Sequence, residues 1–207
     1  MNDAFENVLN VYRDRMRADA KTSASLAREE FLRRRDDFLL AVGEDAARFL
    51  HALAVGISAR RIVELGTSYG FSTLFLADAA RRTGGTVYTY DTVERKQAYA
   101  RERLADAGLA AHVDFRHGDA LELLREQPGP VDLVLLDVWK DLYVPCFELV
   151  YPLLSPGGVI VADNMLHPPD AHAQAAAYRA AVRAKPDLEA ALLPIGHGLD
   201  VAVRKVG

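Results

Sequence analysis

The texture of the chain changes near residue 60. Before that point, apolar residues recur at helical intervals in FENVLNVYRDRM (5–16) and in EEFLRRRDDFLLAVGEDAARFLHAL (29–53). This spacing predicts two or three helices over residues 3–55, with a cap or break at Thr22 and Ser23. Beyond it, short apolar runs alternate with helical patterns. RIVEL (61–65), TVYTYD (86–91), HVDFRHG (112–118), VDLVLLD (131–137) and GVIVAD (158–163) read as strands. The stretches 71–82, 93–107, 119–126 and 143–154 read as the helices between them. Strands this continuously apolar, separated by helices, predict a parallel sheet covered on both faces. An Ala-rich helix near 171–184 and two strands near 188–194 and 199–205 complete the pattern. The strands are joined through IGHG, a connection short enough for an antiparallel hairpin but not for a parallel crossover. The expected fold class is α/β: a doubly wound, mostly parallel seven-stranded sheet with a terminal hairpin and a helical N-terminal extension (residues 1–55), forming one domain over 1–207.

Composition narrows the classes of function. The chain has 207 residues, half of them hydrophobic, enough for one sizeable core. A formal net charge of -4 gives no broad footprint for nucleic acid or an anionic membrane. Even the Arg-rich beginning is balanced, with eight Lys/Arg and eight Asp/Glu in residues 1–42. The lone cysteine, Cys146, excludes an internal disulfide and fits a reducing compartment as a small core residue. The charged beginning is unlike a signal peptide, and no apolar run approaches the ~18 residues of a membrane span. A cytoplasmic protein is expected.

Open parallel sheets bind ligands beyond the carboxyl ends of their strands. The first such end is VELGTSYGFSTLFLA (63–77), a strand, a turn and a helix start. Gly66 and Gly70 permit close backbone approach, and the helix N-terminus offers N–H groups to an anion. A dinucleotide fingerprint is absent, because Ser68 and Phe71 stand at the later glycine positions. Glu64 disfavours a pyrophosphate and suits an ammonium or sulfonium; S-adenosylmethionine carries both. A purely structural turn has the same glycine spacing. Asp91, 25 residues after Gly66, is placed to accept from two ribose hydroxyls or to cap the helix that follows. In HGDAL (117–121), the backbone around Asp119 and Ala120 is placed to border an adenine.

The fourth and fifth strands end in DLVLLDVWKDLYVP (132–145) and GGVIVADNMLHPP (157–169). Adjacent strands bring Asp137, Asp163 and Asn164 to one edge beside Lys140. Two carboxylates and an amide oxygen form a hard-oxygen set suited to Mg²⁺ or another divalent cation, whereas ordinary strand-end caps are the plainer alternative.

LLDVWKDLYVP and the ADN after an apolar strand resemble the matching segments of the catechol O-methyltransferases, a cation- and S-adenosylmethionine-dependent family. The resemblance runs from about residue 40 to the end, through LAVG, VELGTSYGFS, Asp91, HGDAL and GHGLDVAVRK. It implies metal ligands at Asp137, Asp163 and Asn164, and Lys140 as general base. It places Val42, Glu64, Gly66, Thr67, Ser72, Asp91, Ala120 and Asp137 around S-adenosylmethionine. The implied substrate is a small vicinal diol of the catechol type.

Three departures stand out. Val138 replaces a histidine, the acid that holds the second hydroxyl aligns with Ala191 (Glu189 lies two positions away), and no aromatic gate precedes residue 40. His167 and His172 flank the loop after Asn164 and read as surface residues. Met165 and Leu166, with the loop through Pro169, are candidates for an apolar substrate wall. Trp139 and Tyr143 are expected to pack between helix and sheet.

The competing classes are a tRNA hydroxyuridine-type O-methyltransferase of the same fold, a nucleotide-linked oxidoreductase and a non-catalytic binding protein. The first needs a basic surface, the second the missing glycine, and the third leaves Lys140 and the acidic trio unexplained. The N-terminal helices serve either as a lid or in a homodimer.

Overall fold

The computed structural model describes residues 2–167 and 171–207. Three helices come first: α1 (Asp3–Ser23), α2 (Arg28–Arg34) and α3 (Glu44–Gly56). The alternating part follows as β1 (Arg61–Leu65), α4 (Phe71–Thr83), β2 (Thr86–Asp91), α5 (Glu94–Asp106), β3 (Val113–His117), α6 (Ala120–Arg125), β4 (Val131–Leu136), α7 (Tyr143–Val150) and β5 (Leu154–Ala162). It closes with α8 (His172–Arg183), β6 (Leu188–Leu193) and β7 (Leu199–Arg204). The seven strands lie in the order β3-β2-β1-β4-β5-β7-β6. All neighbours are parallel except β7, which runs antiparallel to both β5 and β6.

Period-two alternation sends each strand's side chains to both faces. On β4, Leu133 and Leu135 enter one core cluster, while Val134 and Leu136 enter the other. On β1, Ile62 joins the first, and Val63 and Leu65 the second. The first cluster is roofed by α1, α3 and α4, the second by α6, α7 and α8. Among the described residues, no helix is long and apolar enough to cross a membrane.

The helical spacing over 29–53 does not produce one continuous helix. Arg35–Asp37 form a 3-10 turn, and the chain then leaves helical geometry until Glu44. Leu40 and Gly43 take positive φ angles of 47° and 86°. Tertiary packing overrides the local preference here: Phe38, Leu39 and Val42 are buried, and the Leu39 N–H donates to Asp19 on α1 at 2.8 Å. α1 ends at Ser23, within the expected break, and is held edge-on against α4 by Phe5 on Phe75 and Tyr12 on Phe71. The α2 helix has no buried residue. Near the other boundary, the expected helix 143–154 stops at Val150, and β5 begins earlier than expected, at Leu154.

Candidate functional site

A cavity of about 690 Å³ opens at the carboxyl edge of β2, β1, β4 and β5, between the glycine turn on one side and the loops after β4 and β5 on the other. That volume is within the range of small-ligand sites. Five aspartates (Asp36, Asp91, Asp119, Asp137 and Asp141) line it against two lysines, Lys96 and Lys140, so the interior favours cationic groups.

The turn after β1 is held by main-chain bonds: the N–H groups of Gly66 and Thr67 both donate to the Tyr90 carbonyl, at 2.9 and 3.1 Å. A Cβ at Gly66 would stand 2.1 Å from the Asp137 carbonyl oxygen, so only glycine lets β1 and β4 end this close together. Asp91 closes the turn from the side. One carboxylate oxygen accepts from the Ser68 N–H at 2.7 Å and the other from the Val93 N–H at 2.8 Å. It therefore fixes the backbone on both sides while still facing the cavity, and each oxygen keeps acceptor capacity for a ligand hydroxyl. Capping and ligand binding are compatible here. Asp119 and Ala120 also line the cavity, with Asp119 capping α6 through the Leu121 and Glu122 N–H groups.

Of the residues expected around the cofactor, Gly66, Asp91, Ala120 and Asp137 line the cavity; Val42, Glu64, Thr67 and Ser72 stand behind its wall. Glu64 departs most from expectation. Its fully buried carboxylate accepts from the hydroxyls of Ser72, Thr73 and Thr89, each at 2.6 Å. Burial raises its pKa to about 7, against the lowering effect of those three donors. Thr67 donates to Thr89 at 2.6 Å, extending the same hydroxyl cluster. Val42 belongs to the core, and Leu40 and Ala41 line the cavity in its place.

The N-terminal segment supplies part of the wall, which the sequence did not disclose. Asp36 faces the cavity and accepts from Lys96 at 2.8 Å; that ion pair holds its carboxyl below the ordinary carboxylate range. Tyr69 in the turn donates to the Asp36 carbonyl at 2.9 Å, and Tyr12 of α1 donates to the Tyr69 carbonyl at 2.7 Å. The first forty residues are thus tied directly to the turn after β1.

On the opposite wall, the Asp163 N–H pairs with the Leu136 carbonyl at 3.0 Å, which sets the ends of β4 and β5 side by side. Asp137, Lys140 and Asn164 line the cavity there, and Asp163 is buried beside them. The Asn164 amide N–H donates to Asp137 at 3.0 Å, from a left-handed backbone at φ 58°. Lys140 donates through Nζ to the Asp163 carbonyl at 2.9 Å and lies 3.6 Å from the centre of the Tyr143 ring. Neither buried carboxylate oxygen of Asp163 makes a well-formed hydrogen bond; the adjacent Asn164 N–H gives only partial relief. Burial raises the pKa of Asp137 and Asp163, and in Asp137 the facing Asp163 adds to the rise. Burial lowers Lys140 to about 8, against the pull of both acids. A buried carboxylate without a full donor is costly, and a cation at this place would satisfy it. Among the described residues, no group of three or more His, Cys, Asp or Glu side chains is placed to hold a metal. The set here is two carboxylates and an amide oxygen, in keeping with a hard cation that retains open positions.

Several expectations about the rim need correction. Trp139 does not pack between helix and sheet: it is 49% exposed, with the Arg35 guanidinium 4.1 Å above its ring. Tyr143 is buried as expected. Met165 lies in the core and Leu166 packs against the turn at Gly198, so neither lines the cavity; Pro168 and Pro169 lie outside the described residues. Glu189 is an exposed surface residue paired with Lys205 at 3.0 Å, and Ala191 sits in β6 away from the cavity. Cys146 is fully buried, and its thiol is pushed up to about 12 by burial. His197 also lines the cavity, with its Nδ1 3.2 Å from the Asn164 amide oxygen. Its signal was the IGHG turn, which brings a polar ring to the carboxyl edge.

The strand order, the glycine turn and the acid after β2 define a Rossmann-like fold of the methyltransferase class. The methyltransferase-domain family matches residues 63–165. A catechol O-methyltransferase of Niastella koreensis is 34% identical over 131 residues, covering 61% of this chain and 59% of that protein. A catechol O-methyltransferase of Mycobacterium tuberculosis is 38% identical over 128 residues, covering 61% and 58%. An O-methyltransferase from Bacillus cereus, solved in complex with S-adenosylhomocysteine, superposes with a TM-score of 0.77 at 27% identity, covering 99% of this chain and 92% of that one. The chain is similar to this methyltransferase family over residues 63–165, and its relatives carry the names catechol and caffeoyl-CoA O-methyltransferase. The match spans just under three fifths of the length of the two catechol O-methyltransferases.

Proposed function

We propose that the protein is an S-adenosylmethionine- and divalent-metal-dependent O-methyltransferase that methylates one oxygen of a small vicinal diol of the catechol type. The observation that carries this reading is the poorly satisfied buried carboxylate of Asp163 beside Asp137 and a depressed lysine, across one cavity from Asp91 and the glycine turn. The cofactor bound by the Bacillus cereus structure supports the choice of methyl donor.

In this reading, Gly66, Asp91 and Ala120 border the methyl donor, with Asp91 accepting from its ribose hydroxyls. Glu64, Thr67 and Ser72 act from behind, holding the turn in shape. Asp137, Asp163 and Asn164 hold the cation. When bound, the cation lowers the pKa of a coordinated hydroxyl, and S-adenosylmethionine supplies a methyl group on a positively charged sulfur. Lys140 does the proton chemistry. With a pKa near 8, a usable fraction is neutral at pH 7, and its Nζ takes the proton of the reacting hydroxyl. Lys140 returns its proton to solvent. Tyr143 and the Asp163 carbonyl keep the lysine in place between turnovers.

One domain, with the N-terminal helices completing the cavity wall, is the organisation this function requires; cytoplasmic placement fits the single buried thiol. A homodimer through the exposed α2 face is compatible with the same active site.

The test is an assay with labelled S-adenosylmethionine on a catechol acid, its two monomethyl ethers and a simple phenol, with and without EDTA. Turnover of the diol alone, lost with EDTA and restored by Mg²⁺ or Mn²⁺, is expected. Equal turnover of the phenol would remove chelation as the basis of recognition.

A further inference from the structure

Residues 36–41 form a partition between two cavities. On one side, Asp36, Leu40 and Ala41 wall the large cavity. On the other, Phe38, Leu39, Leu40 and Ala41 line a second cavity of about 250 Å³, backed by α1 and by Phe31 of α2. Leu40 and Ala41 thus have open space on both faces, which is uncommon in a close-packed protein. The segment starts in the 3-10 turn Arg35–Asp37 and ends two residues short of Gly43, which holds φ 86° with nothing within 4 Å of where a Cβ would stand. Leu40 holds φ 47°, a left-handed conformation that a leucine keeps only where its surroundings impose it. A thin segment with room behind it, a strained middle and a glycine at one end is built to move.

What holds it against the large cavity is polar. Ser68 Oγ donates to the Leu39 carbonyl and the Tyr69 hydroxyl to the Asp36 carbonyl, both at 2.9 Å. Arg95 adds an exposed pair to Asp37 at 3.3 Å. The charged tie nearest the cavity is Lys96 on α5, whose Nζ donates to Asp36 at 2.8 Å. The lysine side chain is buried and the aspartate is half-exposed, so this bond is charge-assisted and screened on one side only. Lifting the segment leaves a buried ammonium without its carboxylate, which opposes opening. The same wall reaches the acid at the end of β2: Ser68, whose hydroxyl holds Leu39, gives its N–H to Asp91 at 2.7 Å.

We propose that Asp36 and Lys96 form a latch that closes residues 36–41 over the methyl donor, and that breaking this pair is the step that admits S-adenosylmethionine and releases S-adenosylhomocysteine. This rests on the reading of the large cavity as the methyl-donor site. Both are positioning residues, acting through the segment they close. Opening of such segments commonly limits product release. A latch acts on the barrier to exchange, because the pair closes the wall whether the cavity is filled or empty. Its removal speeds entry and exit together and leaves affinity nearly unchanged, whereas loss of a direct cofactor contact speeds exit alone and weakens affinity.

The experiment is surface plasmon resonance with the captured full chain and S-adenosylhomocysteine as the probe, giving both rate constants. It compares the wild-type protein, Asp36→Asn, Lys96→Met and the double variant; Asp36→Asn changes a half-exposed side chain and keeps its shape, so it tests the latch even if Lys96→Met folds poorly. Each single variant should raise both rate constants about tenfold, the worth of one charge-assisted bond, with the dissociation constant within about threefold. The double variant should match the singles, since both changes break one pair. Unchanged rates in Asp36→Asn overturn the latch. Faster exit with weakened affinity in Lys96→Met, and none of it in Asp36→Asn, also overturns it and makes Lys96 a cofactor contact. Failure of the wild-type protein to bind S-adenosylhomocysteine removes the methyl-donor reading and this inference with it.

Discussion

Glu64 near the end of β1 and Asp163 just after β5 stand at the same edge of one sheet with β4 between them, at 0% and 1% exposure, and their surroundings are opposite. Three hydroxyls donate to Glu64, while neither oxygen of Asp163 has a well-formed partner. The first carboxylate is consumed by the fold; the second is left unsatisfied by it. A buried carboxylate without a full donor is costly when ionised, so it either keeps its proton, as the raised Asp163 value indicates, or is satisfied by a bound group. Asp91 lies between these extremes, because its two backbone donors leave lone pairs open to the cavity. The contrast separates acids that shape the turn from acids that wait for a ligand, a distinction that residue type does not reveal.

The sharpest way to break this contrast is Asp163→Asn. It should lower turnover by about 10²–10³-fold, several kcal/mol at about 1.4 kcal/mol per tenfold. The same change should raise the melting temperature of the metal-free protein at pH 8, by about 2–4 °C for each kcal/mol recovered. The pH dependence has a definite sign. Asp137, Asp163 and Glu64 all have raised folded-state values, with Glu64 at about 7. The folded chain then holds protons that the unfolded chain has released, so the contribution of these three groups to metal-free stability is fullest below the ordinary carboxylate range. It is lost as pH rises through the folded values. Thermal melts from pH 4 to 8 in EDTA check this; a rise in stability across that range would contradict it. Saturating Mn²⁺ should flatten the decline.

Lys140→Ala tests the chemical partner of the unsatisfied acid. Turnover at neutral pH should fall about 10²–10⁴-fold, with part of the loss recovered at higher pH where hydroxide and substrate ionisation compensate. S-adenosylhomocysteine affinity should not change, because Lys140 lies at the opposite wall from Asp91. Near-normal rates in this variant, read by single-turnover assay, would exclude Lys140 as the base.

Asp91→Ala probes the intermediate case. It removes the acceptor for the Ser68 and Val93 N–H groups and any ribose contact, each charge-assisted bond worth about 1.5–3 kcal/mol. Calorimetry should show S-adenosylhomocysteine affinity weakened by about 10–100-fold. Unchanged affinity would reduce Asp91 to a turn residue like Glu64.

The smallest effect belongs to Glu189→Ala. Its partner is exposed Lys205, and an exposed pair contributes about 0–1 kcal/mol at most. Stability and the KM for a diol should both be unchanged. A raised KM would return Glu189 to the substrate site, where the structure does not place it.

The strands and the carboxyl-edge residues were legible because their signals are local. Continuous apolar runs such as VDLVLLD can only be satisfied between two layers, and an acid directly after such a run must stand at the sheet edge. For that reason Asp91, Asp137 and Asp163 fell where expected. Side-chain direction and exposure were not local. Trp139 and Met165 differ by sign from their expected burial, because both follow strands by three residues in loops whose path is set by what they pack against. Glu64 was read as facing a ligand because nothing in VELG discloses that Ser72, Thr73 and Thr89 converge behind it.

By itself, then, the sequence determined the α/β alternation, the antiparallel ending and the glycine turn, since these follow from periodicity and from residues adjacent along the chain. Only the tertiary structure decided which acids are already hydrogen-bonded, that the first forty residues wall the cavity, and that His197 reaches Asn164. Those outcomes depend on donors brought together across separations of 8 to 57 residues, from Ser72 and Glu64 to Tyr12 and Tyr69. Hydrogen-bond satisfaction is a property of the assembled surroundings, and periodicity carries no information about it.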